Sequence, residues 1–119
     1  MRQCKGETRS NGYCNFDSTH RVCAKINGRD DFFKATNQES WCGVKDRCPN
    51  SSHPNWCICK WAFADWVDKV GCENVEIDCL ASDIEHVLKS TTDANRNLTN
   101  AHECILKKCS RLRAIQITD

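Results

Sequence analysis

The stretch NWCICKWAFADWVDKVG, residues 55–71, largely decides how the chain folds. It combines three tryptophans with two cysteines that are separated by a single residue. From Cys59 to Val70, apolar residues recur at intervals of three and four, which is the spacing of one face of an α-helix. Gly71 then provides a stop signal, because glycine readily adopts the conformation that ends a helix. The pattern predicts an amphipathic helix that packs into the core.

The two cysteines of this stretch, Cys57 and Cys59, could form a reactive pair or belong to a covalent frame. Thioredoxin-like redox chemistry uses Cys-x-x-Cys at the start of a helix, and this spacing occurs nowhere in the chain. If the helix begins by Trp56, the two side chains point about 200° apart and should bind different partners. We expect Cys59 to anchor the helix from its buried side, and Cys57 to pair with a cysteine of the N-terminal half.

Cysteine accounts for 11 of the 119 residues, a density typical of disulfide scaffolds. Because cytosolic thiols are kept reduced, this density favours a secreted, extracellular protein, and we expect a mature chain without a leader before Cys4. An odd number leaves one thiol unpaired, either free or joined to a second chain. The disulfide candidates are Cys4, Cys14, Cys23, Cys42, Cys48, Cys57, Cys59, Cys72, Cys79, Cys104 and Cys109.

The formal net charge of +1 hides a segregation of charge along the chain. Residues 58–93 carry three basic and eight acidic side chains, and the flanking segments are net basic. A chain that is not generally basic is a poor candidate for non-specific nucleic-acid binding. No apolar run approaches the roughly 20 residues that cross a bilayer. We therefore expect neither a nucleic-acid partner nor insertion into a membrane.

The remaining sequence predicts short elements. HRVCAKI alternates like a strand, and DDFFKAT resembles a helical turn capped by Asp30. After the tryptophan-rich helix, NVEIDC predicts another strand, and Ser82 begins a capping-box pattern. Thr99 can cap a last helix with Ala101, Ile105, Cys109 and Leu112 on one face, and AIQI predicts a closing strand.

The predicted fold class is a helix-richer α+β fold, a small disulfide-stabilised single domain with three helices and short strands. We expect this domain to span residues 1–119, with residues 1–54 mostly loops around a short strand and residues 55–119 mostly helical.

Metal and enzyme chemistry are not favoured by the motifs. His20-x-x-Cys23 and Cys104-x4-Cys109 only approximate zinc knuckles, and a four-ligand site would leave most of the 11 cysteines unused. A Cys–His nucleophilic pair stays open at this point, because its members meet only in the fold. There is no nucleophile elbow or metalloprotease helix, and bridged cysteines cannot attack. We expect no metal, no cofactor, no catalytic residues and no enzyme.

Two basic clusters are candidates for binding. One lies near the C-terminus and the other lies beside a tryptophan. Basic side chains in the last turns of a helix also offset its dipole, so a solvated face and a docking surface for an acidic partner both remain open. The candidate binding residues are Lys107, Lys108, Arg111, Arg113, Trp41, Lys45 and Arg47.

Four cysteine-bearing motifs, VCAKI, NWCICKWAFADWV, VGCENVEIDC and AHECILKKC, together resemble the larger cysteine-rich scoloptoxins, the secreted venom proteins of centipedes. The resemblance covers roughly residues 14–109. It implies a secreted, non-enzymatic toxin that modulates or inhibits ion channels, particularly potassium channels. The partner would be a membrane channel or its auxiliary subunit on the extracellular side. We expect a monomer, or a disulfide-linked dimer formed through the odd cysteine.

A fainter similarity links HRVCA, residues 20–24, and WCIC, residues 56–59, to a family of small uncharacterised bacterial proteins. This chain lacks that family's Gly-Pro turn before the tryptophan, and the similarity implies a shared core fold without an activity. The alternatives that stay open are an intracellular zinc- or thiol-binding protein and a secreted carrier or enzyme inhibitor. Glycosylation acceptor triplets begin at Asn50 and Asn97, which fits a secretory route.

Overall fold

The computed structural model describes residues 2–4, 12–26, 29–38 and 55–118, with the side chains of these residues except Asp30 and those beyond residue 110. In chain order its elements are β1 (His20–Ala24), α1 (Asp30–Ala35), β2 (Trp56–Cys59), α2 (Lys60–Val70), α3 (Ile84–Lys89), β3 (Thr92–Asp93), β4 (Arg96–Asn97) and α4 (Thr99–Thr118). The predicted helix-richer α+β class is confirmed. The described residues form four α-helices, where three were predicted.

Strand β2 leads directly into helix α2. The helix does not begin by Trp56, because residues Trp56–Cys59 are extended and pair antiparallel with β1. This pairing satisfies the backbone hydrogen bonds of the segment, as a helical turn would have done. Cys57 and Cys59 are therefore alternate residues of one strand, and Cys59 takes the N-cap position of α2.

The core is built around the apolar stripe of α2. Ala62, Phe63, Trp66 and Val67 are all buried, which confirms the predicted helix face. The Trp66 ring meets the ring of Phe32 edge-on, with centroids 5.3 Å apart. Burying one such large side chain contributes about 1.5–3 kcal/mol to folding. Gly71 ends the helix as predicted, with a φ of 88°.

Four disulfide bridges join cysteines of the described residues. The pairs are Cys4–Cys23, Cys14–Cys57, Cys72–Cys104 and Cys79–Cys109. The first two tie the N-terminal segment to β1 and β2, and the other two tie α4 to the chain that follows α2. Such bridges are typical of proteins in oxidising compartments. Cys42 and Cys48 lie outside the described residues.

The expectation for Cys57 is confirmed by its bridge to Cys14 in the N-terminal half. The expectation that Cys59 anchors the helix is wrong, because Cys59 is a free thiol of intermediate exposure. At the end of β2 its sulfur faces His20 rather than another cysteine. Among the described residues Cys59 is the cysteine without a bridge.

The segment between α2 and α3 is not the strand that NVEIDC predicted. It consists of two 3₁₀ turns, Cys72–Asn74 and Cys79–Ala81, with one isolated bridge between Ala24 and Ile77. Both turns begin at a cysteine that is bonded to α4, so the ends of the segment are held against that helix. The tethered segment therefore pairs with β1 through a single isolated β-bridge of backbone hydrogen bonds, and not through a continuous strand ladder.

Three predicted helix or strand ends also differ. Helix α1 has Arg29 rather than Asp30 at its N-cap. Helix α3 is capped by Asp83 rather than Ser82, because the Asp83 carboxylate accepts the backbone N–H of His86. The residues AIQI belong to α4, which runs to Thr118, because Ala, Gln and Leu in this region favour continuation of a helix.

Helix α4 carries the buried face that the sequence predicted. Ala101, Ile105 and Cys109 are buried, whereas the side chain of Leu112 lies outside the described set. None of the helices in the described part of the chain has the length and apolar character needed to cross a membrane.

Candidate functional site

The thiol of Cys59 lies next to a histidine that is itself bonded to a carboxylate. Cys59 Sγ is 3.4 Å from His20 Nε2, and His20 Nδ1 is 2.7 Å from Asp17 Oδ2. A nucleophile, a base and a group that orients the base are arranged in this order in enzymes and other proteins that use covalent catalysis. We refer to Cys59, His20 and Asp17 as the thiol site.

An irregularity in β1 places His20 at this site. His20 pairs with Cys59 and Val22 pairs with Ile58, so Arg21 is an extra residue in the ladder. In a regular ladder Arg21 would stand opposite Cys59. Bulges of this kind re-aim side chains and are common beside functional sites. Arg21 instead directs its guanidinium to the Asp83 carboxylate, 2.6 Å away.

The turn before β1 fixes the carboxylate and the imidazole. Asp17 Oδ1 accepts the backbone N–H groups of Thr19 at 2.9 Å and His20 at 2.8 Å, which is the local pattern that aspartate favours in turns. The Phe16 ring stacks on the His20 ring, with centroids 5.5 Å apart. The imidazole is therefore held at its face by an aromatic ring and at Nδ1 by a carboxylate.

Asp17 is ionised near neutral pH. Burial acts to raise its pKa, but the N–H groups of His20 and Thr19, together with the His20 side chain, prevail and lower the pKa to about 2. An ionised carboxylate at Nδ1 keeps the ring proton on that nitrogen. In the neutral imidazole, Nε2 is then the acceptor that faces the Cys59 thiol.

Cys59 is a protonated thiol rather than a preformed thiolate. Burial raises its pKa, and the carboxylates of Asp93 and Asp17 raise it further, against hydrogen bonds from Thr19 and Trp61 that lower it. Many reactive cysteines instead have a depressed pKa. Reaction at Cys59 therefore depends on transfer of its proton to a base, and His20 Nε2 is in contact to accept it.

The amino end of α2 is occupied by neighbouring acceptors. The backbone N–H of Lys60 donates to the carbonyl oxygen of Thr19 at 2.9 Å, and that of Trp61 donates to Asp93 Oδ2 at 3.1 Å. The Thr19 hydroxyl also donates to Asp93, at 2.7 Å. Asp93 thus offsets the positive end of the helix dipole beside Cys59.

A second buried titratable group follows Cys59 directly. Lys60 is only 5% exposed, and its Nζ lies 3.0 Å from His86 Nε2 and 2.9 Å from Ser90 Oγ. Burial, followed by the charges of Arg21 and Lys60, lowers the pKa of His86. His86 is therefore neutral, and its Nε2 lies between the Lys60 amine and the Ser18 carbonyl oxygen, which is 3.2 Å away. These contacts tie the start of α2 to α3, so Lys60 has a structural role.

The predicted binding residues are only partly described. Lys107 is exposed and Lys108 is half-buried on α4. Lys107 lines a groove of about 310 Å³ together with Asp68 and Glu103, so its surroundings are mixed in charge rather than cationic. The side chains of Arg111 and Arg113, and the whole of Trp41, Lys45 and Arg47, lie outside the described set. The basic docking surface stays a prediction.

The cysteines considered as zinc ligands are bridged in the structure. The sulfurs of Cys4, Cys14 and Cys57 lie within 4.8 Å of one another, but all three belong to disulfides. Metal binding requires thiolates, so these sulfurs could serve a metal only after reduction. Of the spacing His20-x-x-Cys23, the cysteine is bridged to Cys4 and the histidine contacts Cys59.

Sequence reasoning did not assemble the thiol site. Two motifs quoted for the bacterial resemblance, HRVCA and WCIC, contain His20 and Cys59 and form the paired strands β1 and β2. Their pairing was a signal that could have brought these two residues together. The bulge at Arg21 and the absence of a bridge at Cys59 depend on the fold and have no local signature.

Comparison of the chain with protein-family models, with curated proteins and with solved structures found no match. The similarities to scoloptoxins and to the bacterial family stay predictions.

Proposed function

We propose that this chain is an extracellular, disulfide-framed protein that performs covalent thiol chemistry at Cys59, with His20 as its base and Asp17 as the positioning residue. The observation that carries the proposal is the chain of two contacts, 3.4 Å from Sγ to Nε2 and 2.7 Å from Nδ1 to Oδ2. Nucleophile, base and orienting group are joined in this order within one site.

The chemistry begins with a proton transfer. His20 Nε2 accepts the proton of the Cys59 thiol as the sulfur attacks an electrophile, and the ionised Asp17 stabilises the imidazolium that results. The imidazolium then returns its proton to the leaving group. General base assistance of this kind typically contributes about 10²–10⁴-fold to a rate.

The disulfide frame supports this role in two ways. The other described cysteines are all bridged, which leaves Cys59 as the thiol of that part of the chain in an oxidising medium. The bridged Cys23 and Cys57 face each other across β1 and β2. Both strands of the site are therefore tied to the N-terminal segment, which limits their relative motion.

One covalent event per chain satisfies the proposal, and turnover is not part of it. The prediction that the protein is not an enzyme is therefore compatible with the proposal and stays a prediction. Secretion also stays a prediction, and the disulfides favour it because they persist in oxidising compartments.

The proposal is tested by labelling the unreduced protein with limiting iodoacetamide at neutral pH and mapping the alkylated peptide. We expect Cys59 to be labelled and His20→Gln to slow its labelling by about tenfold or more. His102→Gln is the matched control, because His102 Nε2 contacts the carbonyl oxygens of Val87 and Ser90 instead of a thiol. Equal Cys59 labelling rates in wild type and His20→Gln would overturn the proposal.

A second candidate function is modulation of a potassium channel from the extracellular side. It is supported by the resemblance to scoloptoxins and by the bridges Cys72–Cys104 and Cys79–Cys109, which anchor α4 and so hold its exposed Lys107 in place. A backbone that is already held in place loses little entropy when its basic face docks to an acidic surface.

Voltage-clamp recording on a panel of potassium channels tests the second candidate. A block that weakens when Lys107, Lys108, Arg111 and Arg113 are neutralised together supports it. If the protein blocks none of the channels, the second candidate function is wrong. If the neutralised variant blocks with unchanged potency, the contact with the channel lies outside these four residues. A Cys59→Ser variant that keeps full potency would show that the two candidate functions use separate parts of the chain.

A further inference from the structure

We propose that the electrophile taken by Cys59 is a small, positively charged organic disulfide, and that the product is a mixed disulfide at Cys59. This inference rests on the proposed thiol function and adds the substrate class. Two features of the site carry it, the occupied amides of α2 and the two carboxylates held beside Cys59, Asp17 behind His20 and Asp93 at the start of α2.

The occupied amides argue against acyl substrates. Acyl transfer builds negative charge on a carbonyl oxygen, which proteins stabilise with hydrogen-bond donors aimed at that oxygen. The first two amides of α2, beside Cys59, already donate to the Thr19 carbonyl and the Asp93 carboxylate. An oxyanion at this position would meet the Asp93 carboxylate instead of free donors.

Disulfide exchange needs no such donors, because its charge stays on sulfur. In the exchange a thiolate attacks one sulfur of a disulfide and displaces the other. At this site His20 Nε2, which takes the proton, contacts the Cys59 sulfur directly. The base of this site is therefore directed at the attacking atom.

The reaction balances without another reactant. The Cys59 S–H bond and the S–S bond of the substrate break, and a new S–S bond joins Cys59 to one half of the substrate. Cys59 is oxidised and the departing half is reduced to a thiol. The proton passes from Sγ to His20 Nε2 and then to the departing sulfur.

The charges around Cys59 select the substrate. Asp17 bonds to His20, whose Nε2 is 3.4 Å from the sulfur, and Asp93 accepts the backbone N–H of Trp61. Both carboxylates act on the sulfur with negative charge. The basic side chains nearby have other partners: Arg21 pairs with Asp83, Lys60 contacts His86 and Ser90, and Arg96 pairs with Asp65 and stacks over Trp61. The electrostatic field of a site can change encounter rates by about tenfold or more. A cationic disulfide is attracted to the sulfur and an anionic one is repelled.

The test compares cystamine, which is cationic, with oxidised glutathione, which is anionic, on the unreduced wild-type protein at low ionic strength. We expect one cysteamine adduct per chain at Cys59 by intact mass and peptide mapping, formed about tenfold faster than the glutathione adduct. The ratio should shrink in high salt, where surface charges are screened. Asp93→Asn, which keeps an oxygen to cap α2, should reduce the ratio as well.

A thioester probe separates failure of this inference from failure of the proposed function. His20-dependent acylation of Cys59 with no reaction of cystamine would overturn the inference and leave the thiol function standing. A glutathione rate equal to the cystamine rate would overturn the charge selection. If iodoacetamide labels Cys59 at equal rates in wild type and His20→Gln, both proposals fail. The wild-type rate ratio needs no variant, so a poorly folded mutant does not block the test.

Discussion

His20 stands opposite Cys59 across β1 and β2, with its Nε2 atom 3.4 Å from the thiol sulfur. This contact exists because Arg21 is an extra residue in the ladder and shifts the register between Val22 and His20. The turn before β1 supplies Asp17, whose carboxylate bonds to the other side of the imidazole. One local irregularity thus turns an ordinary antiparallel pair into a site where a thiol, a base and a carboxylate meet.

The first prediction concerns acid stability. Because the pKa of Asp17 is lowered from 3.8 to about 2, the unfolded chain takes up the proton first as pH falls. The stability contributed by ionised Asp17 is therefore present above pH 3.8 and is lost as pH falls toward 2. Asp17→Asn, which keeps an acceptor for the turn amides, should be less stable than wild type at neutral pH, by a margin that narrows in acid. Urea unfolding at several pH values measures the margin, and a constant margin contradicts the assignment.

The second prediction concerns alkaline pH. Burial first, and then Asp93 and Asp17, raise the pKa of Cys59 above 9.0, so the folded chain holds this proton more tightly than the unfolded chain. Its contribution to stability is full below pH 9 and is lost as pH rises through the folded pKa. Urea unfolding of wild type and Cys59→Ala across this range should show the wild type losing more stability. Parallel pH profiles would mean that the thiol is not perturbed by the fold.

The third prediction concerns the hairpin that carries Asp93. Its turn residues Ala94 and Asn95 have φ values of 48° and 67°, a left-handed conformation that costs alanine about 1 kcal/mol. Ala94→Gly should therefore raise the free energy of unfolding by up to about 1 kcal/mol. Ala94→Val is the matched control and should lower it, because a β-branched side chain is worse in this conformation. Chemical denaturation measures both, and a less stable glycine variant contradicts the turn geometry.

The fourth prediction concerns the bridges. Complete reduction should add two hydrogens for each of the four described disulfides, which intact mass detects. Replacing Cys72 and Cys104 together with alanine should cost about 2–4 kcal/mol, because it frees a long loop in the unfolded chain. A mass that does not change on reduction, together with bound zinc, would instead support the intracellular zinc protein that the sequence left open.

The sequence predicted the features that depend on neighbouring residues. The stripe of α2 and the stop at Gly71 were predictable, because helical spacing and glycine conformation act within a few residues. The buried face of Ala101, Ile105 and Cys109 on α4 was predictable for the same reason.

The features that depend on distant residues were not predictable. WCIC forms a strand only because β1 is available to pair with it, and NVEIDC is turned by bridges from Cys72 and Cys79 to α4. Cys59 is a free thiol because the other described cysteines form disulfides with one another, and these pairings are set by the fold. The thiol site combines all of these long-range effects with a bulge, and so it became visible only in the fold.

The central claim is that Asp17 acts on Cys59 through His20, and a double-mutant cycle tests it most directly. The measurement is the alkylation rate of Cys59 at neutral pH in wild type, Asp17→Asn, His20→Gln and the double variant. Residues that act as one unit give strongly non-additive losses. The account predicts that Asp17→Asn slows alkylation in the wild-type background and does not slow it once His20 is replaced, because Asp17 then only raises the pKa of the thiol. An equal slowing by Asp17→Asn in both backgrounds would contradict it.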